Sequence, residues 1–158
     1  MADKYLYEVL ESINEAGLLK ALPDFLEKSL AESIVLRDYQ KEAFRYFISY
    51  KENEALSKNK QIHTLLHMAT GSGKTVIMAG LILYLYTKGY RNFLFFVNQT
   101  NILEKTKENF LNNLSSKYLF ADNIEYYGEK IKINEVDNFA AIPNFSYDIN
   151  ICLSLIHI

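Results

Sequence analysis

Apolar residues recur along residues 1 to 32 with the spacing of amphipathic helices. The first set follows the i, i+3, i+4, i+7 pattern that places side chains on one helix face, and it consists of Leu6, Val9, Leu10 and Ile13. Gly17 interrupts this pattern, and a second apolar pattern begins at Pro23. We therefore predict a pair of amphipathic helices in a helical N-terminal extension that covers residues 1 to 35.

A third helix is predicted over residues 38 to 50, because apolar side chains again recur on one face. These side chains are Tyr39, Ala43, Tyr46 and Phe47. Residues 51 to 61, KENEALSKNKQ, are polar and charged, and this composition predicts an exposed connection.

The pattern changes beyond residue 61, where short apolar runs alternate with helical periodicity. The short runs predict strands over residues 62–68, 92–97, 124–127 and 149–152. The helical patterns cover residues 76–86, which Gly89 closes, and residues 100–114, for which Thr100 is a candidate N-cap. This alternation predicts an α/β fold with a parallel sheet that is buried on both faces.

The last six residues, LSLIHI, resemble the translated end of an adaptor from a transposase-based sequencing library. We therefore expect residues 153 to 158 to be a sequencing-adaptor scar and the native sequence to stop near Cys152. The alternative interpretation is a genuine apolar strand.

Composition and charge narrow the class of protein. Hydrophobic residues make up 49% of the 158 residues and charged residues 23%, which is typical of a folded globular protein. No stretch reaches the roughly 18 consecutive apolar residues that a membrane helix needs, so we expect a cytoplasmic protein with no membrane contact. Cys152 is the only cysteine, which excludes an intrachain disulfide. The net charge of −2 neither indicates nor excludes nucleic-acid binding.

A glycine-rich segment between the strand predicted over residues 62–68 and the next helix has the spacing of a phosphate-binding loop. Residues 68–75 read MATGSGKT and contain the GK[ST] core of that motif. Glycines lack a Cβ, so the backbone can turn successive N–H groups towards one anion. Lys74 is expected to supply a cation to the β- and γ-phosphates of ATP, and the Thr75 hydroxyl to bind Mg²⁺. These two are the predicted catalytic residues.

The predicted nucleotide contacts within and beside this loop are Ala69, Thr70, Gly71, Ser72, Gly73, Lys74, Thr75 and Val76. The general motif opens with glycine, and here Met68 occupies that position. A glycine-rich turn that binds no nucleotide is therefore the alternative.

Two segments together resemble a known family. Residues 36–43, LRDYQKEA, resemble the adenine-reading element of superfamily 2 helicases and translocases, and MATGSGKT resembles motif I of the restriction-enzyme branch, where the opening Met is usual. The resemblance is strongest to the Res subunit of type III restriction enzymes, with the translocating subunit of type I enzymes a near relation. It covers residues 20 to 152 and implies an incomplete RecA-like P-loop NTPase domain over residues 36 to 152.

The resemblance implies that Gln40 and Arg37 belong to the nucleotide site. The planar amide of Gln40 offers one donor and one acceptor, which suits N6 and N7 of adenine, and Arg37 would support that pocket. The alternative is that both residues are polar positions on the solvent face of an amphipathic helix.

Residues 97–103 occupy the place of motif Ia, which in this family contacts the DNA backbone. Thr100 and Asn101 at the predicted helix start can donate hydrogen bonds to phosphate. The commoner pattern has Pro and Arg near these positions, so a plain helix cap is the alternative.

The acidic motif II of the family, which helps to hold Mg²⁺ and activates water, is absent because no Asp-Glu pair occurs in the chain. We therefore expect weak nucleotide binding without hydrolysis. The resemblance implies ATP and Mg²⁺ as cofactors, and double-stranded DNA and a methyltransferase (Mod) subunit as partners. The resemblance therefore implies an ATP-driven DNA translocase of a restriction endonuclease that, in its full form, cuts DNA. The alternatives are a helicase without nuclease, a P-loop ATPase unrelated to nucleic acid and a non-catalytic interaction module.

Overall fold

The computed structural model describes residues 5–58, 60–140, 142 and 146–156 and shows an α/β fold. Within these residues the helices are α1 (Leu6–Glu15), α2 (Asp24–Lys28), α3 (Asp38–Glu52), α4 (Glu54–Ser57), α5 (Lys74–Thr87) and α6 (Thr100–Phe110). The strands are β1 (Asn92–Val97), β2 (Ile124–Tyr126), β3 (Glu129–Ile131), β4 (Ile133–Glu135) and β5 (Ile149–Leu155). None of the described helices has both the length and the apolarity to cross a membrane.

The chain divides into two compact units. The first consists of residues 1–23 and 36–77, and the second of residues 24–35 and 78–158. These bounds follow spatial contacts, whereas the domain bounds predicted above follow sequence motifs and stay predictions.

In the first unit, polar contacts hold the N-terminal segment along α3. Asn14 donates from Nδ2 to the Glu42 carboxylate over 2.8 Å. The Lys20 N–H donates to Ser49 Oγ over 2.8 Å, and Arg45 Nε donates to the Lys20 carbonyl over 3.2 Å. The first predicted helix is confirmed as α1, which packs on α3.

Helix α3 is confirmed, but the face that it buries differs from the predicted one. The buried positions are Gln40, Phe44 and Ile48, which are four residues apart and share one side of the helix. The predicted apolar face is half-buried or exposed, and Ala43, Tyr46 and Phe47 line an open groove of about 520 Å³ with α1 and residues 63–68. A pattern of apolar positions does not include Gln40, because its side chain is polar. The structure buries this amide because its oxygen and its nitrogen both form hydrogen bonds, with the Arg37 N–H and the Ser72 carbonyl.

The polar connection over residues 51–61 contains the short helix α4, which the sequence pattern did not predict. Its N-cap is Asn53, whose Oδ1 accepts from the N–H groups of Ala55 and Leu56 over 3.0 and 3.2 Å. Asparagine is among the preferred N-cap residues, so this residue was the available signal.

The strand predicted over residues 62–68 is wrong. Among the residues that the structure describes, no backbone group forms a hydrogen bond with the backbone of this segment, and Leu65 is 90% exposed. An apolar run favours an extended backbone, but a strand also needs a neighbour that pairs with its N–H and C=O groups. The segment therefore leads into the glycine-rich loop without forming a strand among the described residues.

The helix predicted after the loop is confirmed as α5 and begins at Lys74, two residues earlier than its apolar pattern. It is buried on several sides, at Ile77, Ala79, Ile82, Leu83, Tyr84 and Tyr86. A helix that is apolar on most sides is typical of a position inside a domain.

In the second unit, three strands form a sheet in the order β1–β5–β4, and both pairings are parallel. The parallel sheet and the bounds of β1 are confirmed. β4 lies in a polar stretch that predicts no strand, and β5 continues beyond Cys152 to Leu155, with Leu153 opposite Phe95. The adaptor origin of residues 153 to 158, of which 157 and 158 lie outside the described residues, stays a prediction.

The expectation that both faces of the sheet are buried is wrong at β1. Leu94 and Phe96 are 47% and 61% exposed, whereas Phe95 on the opposite face contacts Phe110 of α6 with ring centroids 5.3 Å apart. Successive residues of a strand point to opposite faces, so α6 covers only one of them. A continuous apolar run therefore does not by itself establish two covered faces.

Helix α6 is shorter than predicted and begins differently. It ends at Phe110 rather than at residue 114, and Leu114 is 91% exposed. Gln99 occupies the N-cap position without a side-chain hydrogen bond, so the prediction of Thr100 as N-cap is wrong. Lys107 Nζ lies 2.7 Å from the carboxylate of Glu135 in β4, in an ion pair that is also a hydrogen bond. This hydrogen bond raises the pKa of Lys107 above its ordinary value.

Two further segments of the second unit depart from the sequence pattern. The second helical pattern, which begins at Pro23, ends with α2, and beyond it Leu30 pairs with Phe120 in an antiparallel bridge. The strand predicted over residues 124–127 ends at Tyr126, since Tyr127 and Gly128 have φ angles of +52° and +82° and turn the chain into β3. Positive φ at both central residues is the signature of a type I′ hairpin turn.

Candidate nucleotide-binding site

The glycine-rich loop is closed by hydrogen bonds to one of its own carbonyl groups. The Ala69 carbonyl accepts from Ser72 Oγ over 2.7 Å, from the Ser72 N–H over 3.3 Å and from Lys74 Nζ over 2.8 Å. Three donors on one oxygen draw the two ends of the loop together. The result is a compact turn at the N-terminus of α5.

Glycine is required at two positions of this turn. Gly71 and Gly73 have φ angles of +80° and +83°, which residues with a Cβ rarely adopt. A Cβ at Gly71 would meet nothing within 4 Å, whereas a Cβ at Gly73 would overlap Nε2 of Gln40. Gly73 therefore serves two purposes, since it permits the turn and leaves room for the side chain of α3.

Lys74 lies at the first position of α5 with an exposed side chain. Its Nζ donates to the carbonyl groups of Met68 and Ala69 over 3.1 and 2.8 Å. An ammonium group has three N–H donors, so one donor is left for a ligand. The positive end of the α5 dipole lies at the same place, which makes the loop attractive to anions.

Thr75 follows with a half-buried side chain, and its hydroxyl forms no hydrogen bond among the residues that the structure describes. A hydroxyl without a protein partner next to Lys74 is available to a metal ion or a phosphate oxygen. Thr70 is exposed and Val76 half-buried, on either side of the turn. The predicted loop residues therefore lie together in the first unit.

Gln40 is joined to the loop directly. Its Nε2 donates to the Ser72 carbonyl over 3.0 Å, and its Oε1 accepts from the Arg37 N–H over 2.9 Å. The side chain is only 5% exposed. An amide has two N–H donors and two acceptor lone pairs, so one of each is left after these two bonds. The alternative that placed both residues on a solvent face is therefore wrong for Gln40, whereas Arg37 is exposed.

A residue of this site that the sequence interpretation missed is Tyr39. Its hydroxyl donates to the Ser72 carbonyl over 2.8 Å and accepts from Nη1 of Arg37 over 3.1 Å. The side chain is 41% exposed, and the apolar pattern had assigned it to the packed face of α3. Its polar tip, adjacent in sequence to Gln40, was the available signal.

Thr100 and Asn101, the predicted DNA contacts, lie in the second unit. They are the first two residues of α6, and both are exposed. The N–H groups of the first turn of a helix lack partners within the helix, so this end can accept an anion. Contact with DNA at these residues stays a prediction.

Comparisons with known proteins agree on one family. Residues 33–157 match the family model described as type III restriction enzyme, res subunit. The chain is 42% identical over 125 residues to a protein of Haemophilus influenzae described as "Probable type III restriction-modification enzyme HindVIP Res subunit". This similarity covers 76% of the chain and 24% of that relative, so the chain spans about a quarter of the relative's length. No solved structure matches the chain. The chain belongs to the family of type III restriction enzyme Res subunits.

Proposed function

We propose that residues 69–76 bind the phosphate groups of ATP with Mg²⁺, and that Gln40 and Arg37 form the adenine side of the same site. The observation that carries this proposal is the bond from Gln40 Nε2 to the Ser72 carbonyl, which joins the base-reading element to the phosphate loop. A helix with only a solvent-facing role would not bury its glutamine against a glycine-rich turn.

The residues present fit a magnesium nucleotide. Lys74 would exchange its bonds to the Met68 and Ala69 carbonyls for bonds to phosphate oxygens, which are stronger acceptors because they carry charge. The Thr75 hydroxyl, which has no hydrogen-bond partner among the described residues, would be a ligand of Mg²⁺, which prefers oxygen donors. A bound Mg²⁺ would supply positive charge that offsets the charge of the phosphates.

Titration of this chain with Mg-ADP tests the nucleotide site. We expect saturable binding by the wild-type chain, and a loss of at least tenfold in affinity for Lys74→Ala, because an uncompensated phosphate charge costs more than about 1.4 kcal/mol. Lys60→Ala is the matched control, since Lys60 is an exposed lysine of the same unit. Equal affinities of the wild-type chain and Lys74→Ala would exclude the proposed site.

The same proteins test the expectation that this chain does not hydrolyse ATP. It has no Asp-Glu motif to position water and metal. We expect the wild-type rate of ATP hydrolysis to equal the Lys74→Ala rate. A magnesium-dependent rate above that control would contradict the expectation.

For the complete protein we propose an ATP-dependent translocase of double-stranded DNA in a cytoplasmic type III restriction endonuclease. Family membership supports this activity, with a methyltransferase (Mod) subunit as partner and with DNA cleavage by a region outside this chain. Thr100 and Asn101 would donate to the DNA backbone from the start of α6.

A further inference from the structure

The Ser72 carbonyl accepts hydrogen bonds from two side chains of α3 in the first unit. Gln40 Nε2 lies 3.0 Å from it and Tyr39 Oη 2.8 Å. Arg37 Nη1 in turn donates to the Tyr39 hydroxyl over 3.1 Å, which leaves that hydroxyl's own proton for Ser72. Two consecutive hydrogen bonds thus connect the start of α3 to the glycine-rich loop, from Arg37 to Tyr39 and from Tyr39 to Ser72.

We propose that Tyr39 is a positioning residue of the phosphate loop, because it fixes the orientation of the Ser72–Gly73 peptide. This inference rests on the proposed nucleotide site and adds a residue that the motif does not contain. In a trans peptide, the C=O of one residue and the N–H of the next point in opposite directions. A carbonyl held towards α3 therefore turns the Gly73 N–H away from α3 and into the concave side of the loop.

The backbone at this peptide needs such a restraint. Rotation of the peptide changes the ψ angle of Ser72 and the φ angle of Gly73, and Gly73, at positive φ, has more accessible backbone conformations than a residue with a Cβ. Without an external anchor, the peptide can rotate and turn a carbonyl oxygen towards the phosphate, where it repels the anion. Two anchors on one oxygen hold the peptide in the orientation that binds anions.

Packing does not account for Tyr39. The side chain is 41% exposed, whereas the residues that α3 buries for packing, Phe44 and Ile48, are 0% and 2% exposed. The hydroxyl oxygen instead has a donor and an acceptor partner at good distances. Removal of the hydroxyl alone should therefore affect the loop and leave the fold unchanged.

The test compares Tyr39→Phe with Tyr46→Phe in this chain. Tyr46 lies on the same helix, and its hydroxyl contacts Glu42 and Asn14 but not the loop. The affinities for pyrophosphate, which probes the loop alone, and for Mg-ADP are measured together with the thermal unfolding midpoint. We expect Tyr39→Phe to weaken both affinities by about threefold to tenfold, the effect of one net hydrogen bond, with an unchanged midpoint. Tyr46→Phe should match the wild-type chain in both affinities.

Each other outcome has a separate meaning. Wild-type affinity in Tyr39→Phe overturns the inference and leaves the proposed nucleotide site intact. An equal loss in Tyr39→Phe and Tyr46→Phe also overturns it, because a general disturbance of α3 then explains the effect. If the wild-type chain binds neither pyrophosphate nor Mg-ADP, the proposed function fails and the inference fails with it.

Discussion

Gly71 and Gly73 have nearly the same φ angle but different surroundings. A comparison of the two positions therefore distinguishes the effect of backbone strain from the effect of side-chain contact. Both positions would strain an L-residue, since their φ angles are +80° and +83°. Only Gly73 lies against another side chain, because its missing Cβ leaves room for Nε2 of Gln40. Gly71→Ala and Gly73→Ala therefore add the same backbone strain, but only Gly73→Ala also creates an overlap with the side chain of Gln40.

We expect Gly71→Ala to lower the free energy of unfolding by about 1–2 kcal/mol, the cost of a left-handed backbone for an L-residue, and Gly73→Ala to lower it further, because its added Cβ overlaps Gln40. Gly73→Ala should also displace Gln40 from the Ser72 carbonyl, so its affinity for Mg-ADP should fall at least about threefold below that of Gly71→Ala. Chemical denaturation and calorimetric titration measure the two effects. Equal affinities of the two variants would show that the contact between Gly73 and Gln40 does not matter for binding.

For single residues, the sequence predicted which residues form the loop but not which side chains of α3 contact it. Lys74 and Thr75 follow from motif spacing alone, because their chemistry is tied to fixed positions after the glycines. The contacts of Gln40 and Tyr39 with Ser72 join residues more than thirty positions apart, and no local pattern encodes them. The missed role of Tyr39 shows this limit, since helical periodicity treats tyrosine as apolar and ignores its hydroxyl.

Elements with a strong internal pattern were predicted well, and elements that depend on a neighbour were not. Helices α1, α3 and α5 carry their own backbone hydrogen bonds, so their existence follows from local sequence. A strand is stabilised by its partner, which explains both the unpaired segment over residues 62–68 and the unpredicted β4. The end of α6 was also misplaced, because Leu114 continues the apolar spacing although the helix stops at Phe110.

Alanine substitution at Phe110 and Leu114 tests where α6 ends. Phe110 is fully buried and contacts the rings of Phe95 and Phe120, whereas Leu114 is 91% exposed. We expect Phe110→Ala to lower the free energy of unfolding by about 3–5 kcal/mol through lost burial and a cavity. Leu114→Ala should change it by less than about 0.5 kcal/mol, as at other exposed positions. A comparable loss in both variants would mean that the helix continues and buries Leu114.

For the whole molecule, the fold class and the family could be inferred from sequence because two short motifs occur in a fixed order. The segments LRDYQKEA and MATGSGKT led to the Res subunit family that the comparisons then established. The same motifs say nothing about which face of β1 is covered, and the prediction of two covered faces failed there. A motif is readable from sequence because its residues are neighbours in the chain. Coverage of a sheet face depends instead on how elements that are distant in sequence pack together.

The most direct test of the proposed function is DNA cleavage by the longer Res subunit that we propose contains this chain, assayed together with the proposed methyltransferase (Mod) subunit. We predict that cleavage of double-stranded DNA requires ATP and Mg²⁺ and is abolished by Lys74→Ala, while the Lys60→Ala variant cuts at the wild-type rate. Cleavage that needs no ATP, or that survives Lys74→Ala, would exclude the proposed function. DNA-stimulated ATP hydrolysis without any cleavage would instead identify a helicase-type motor that has no nuclease.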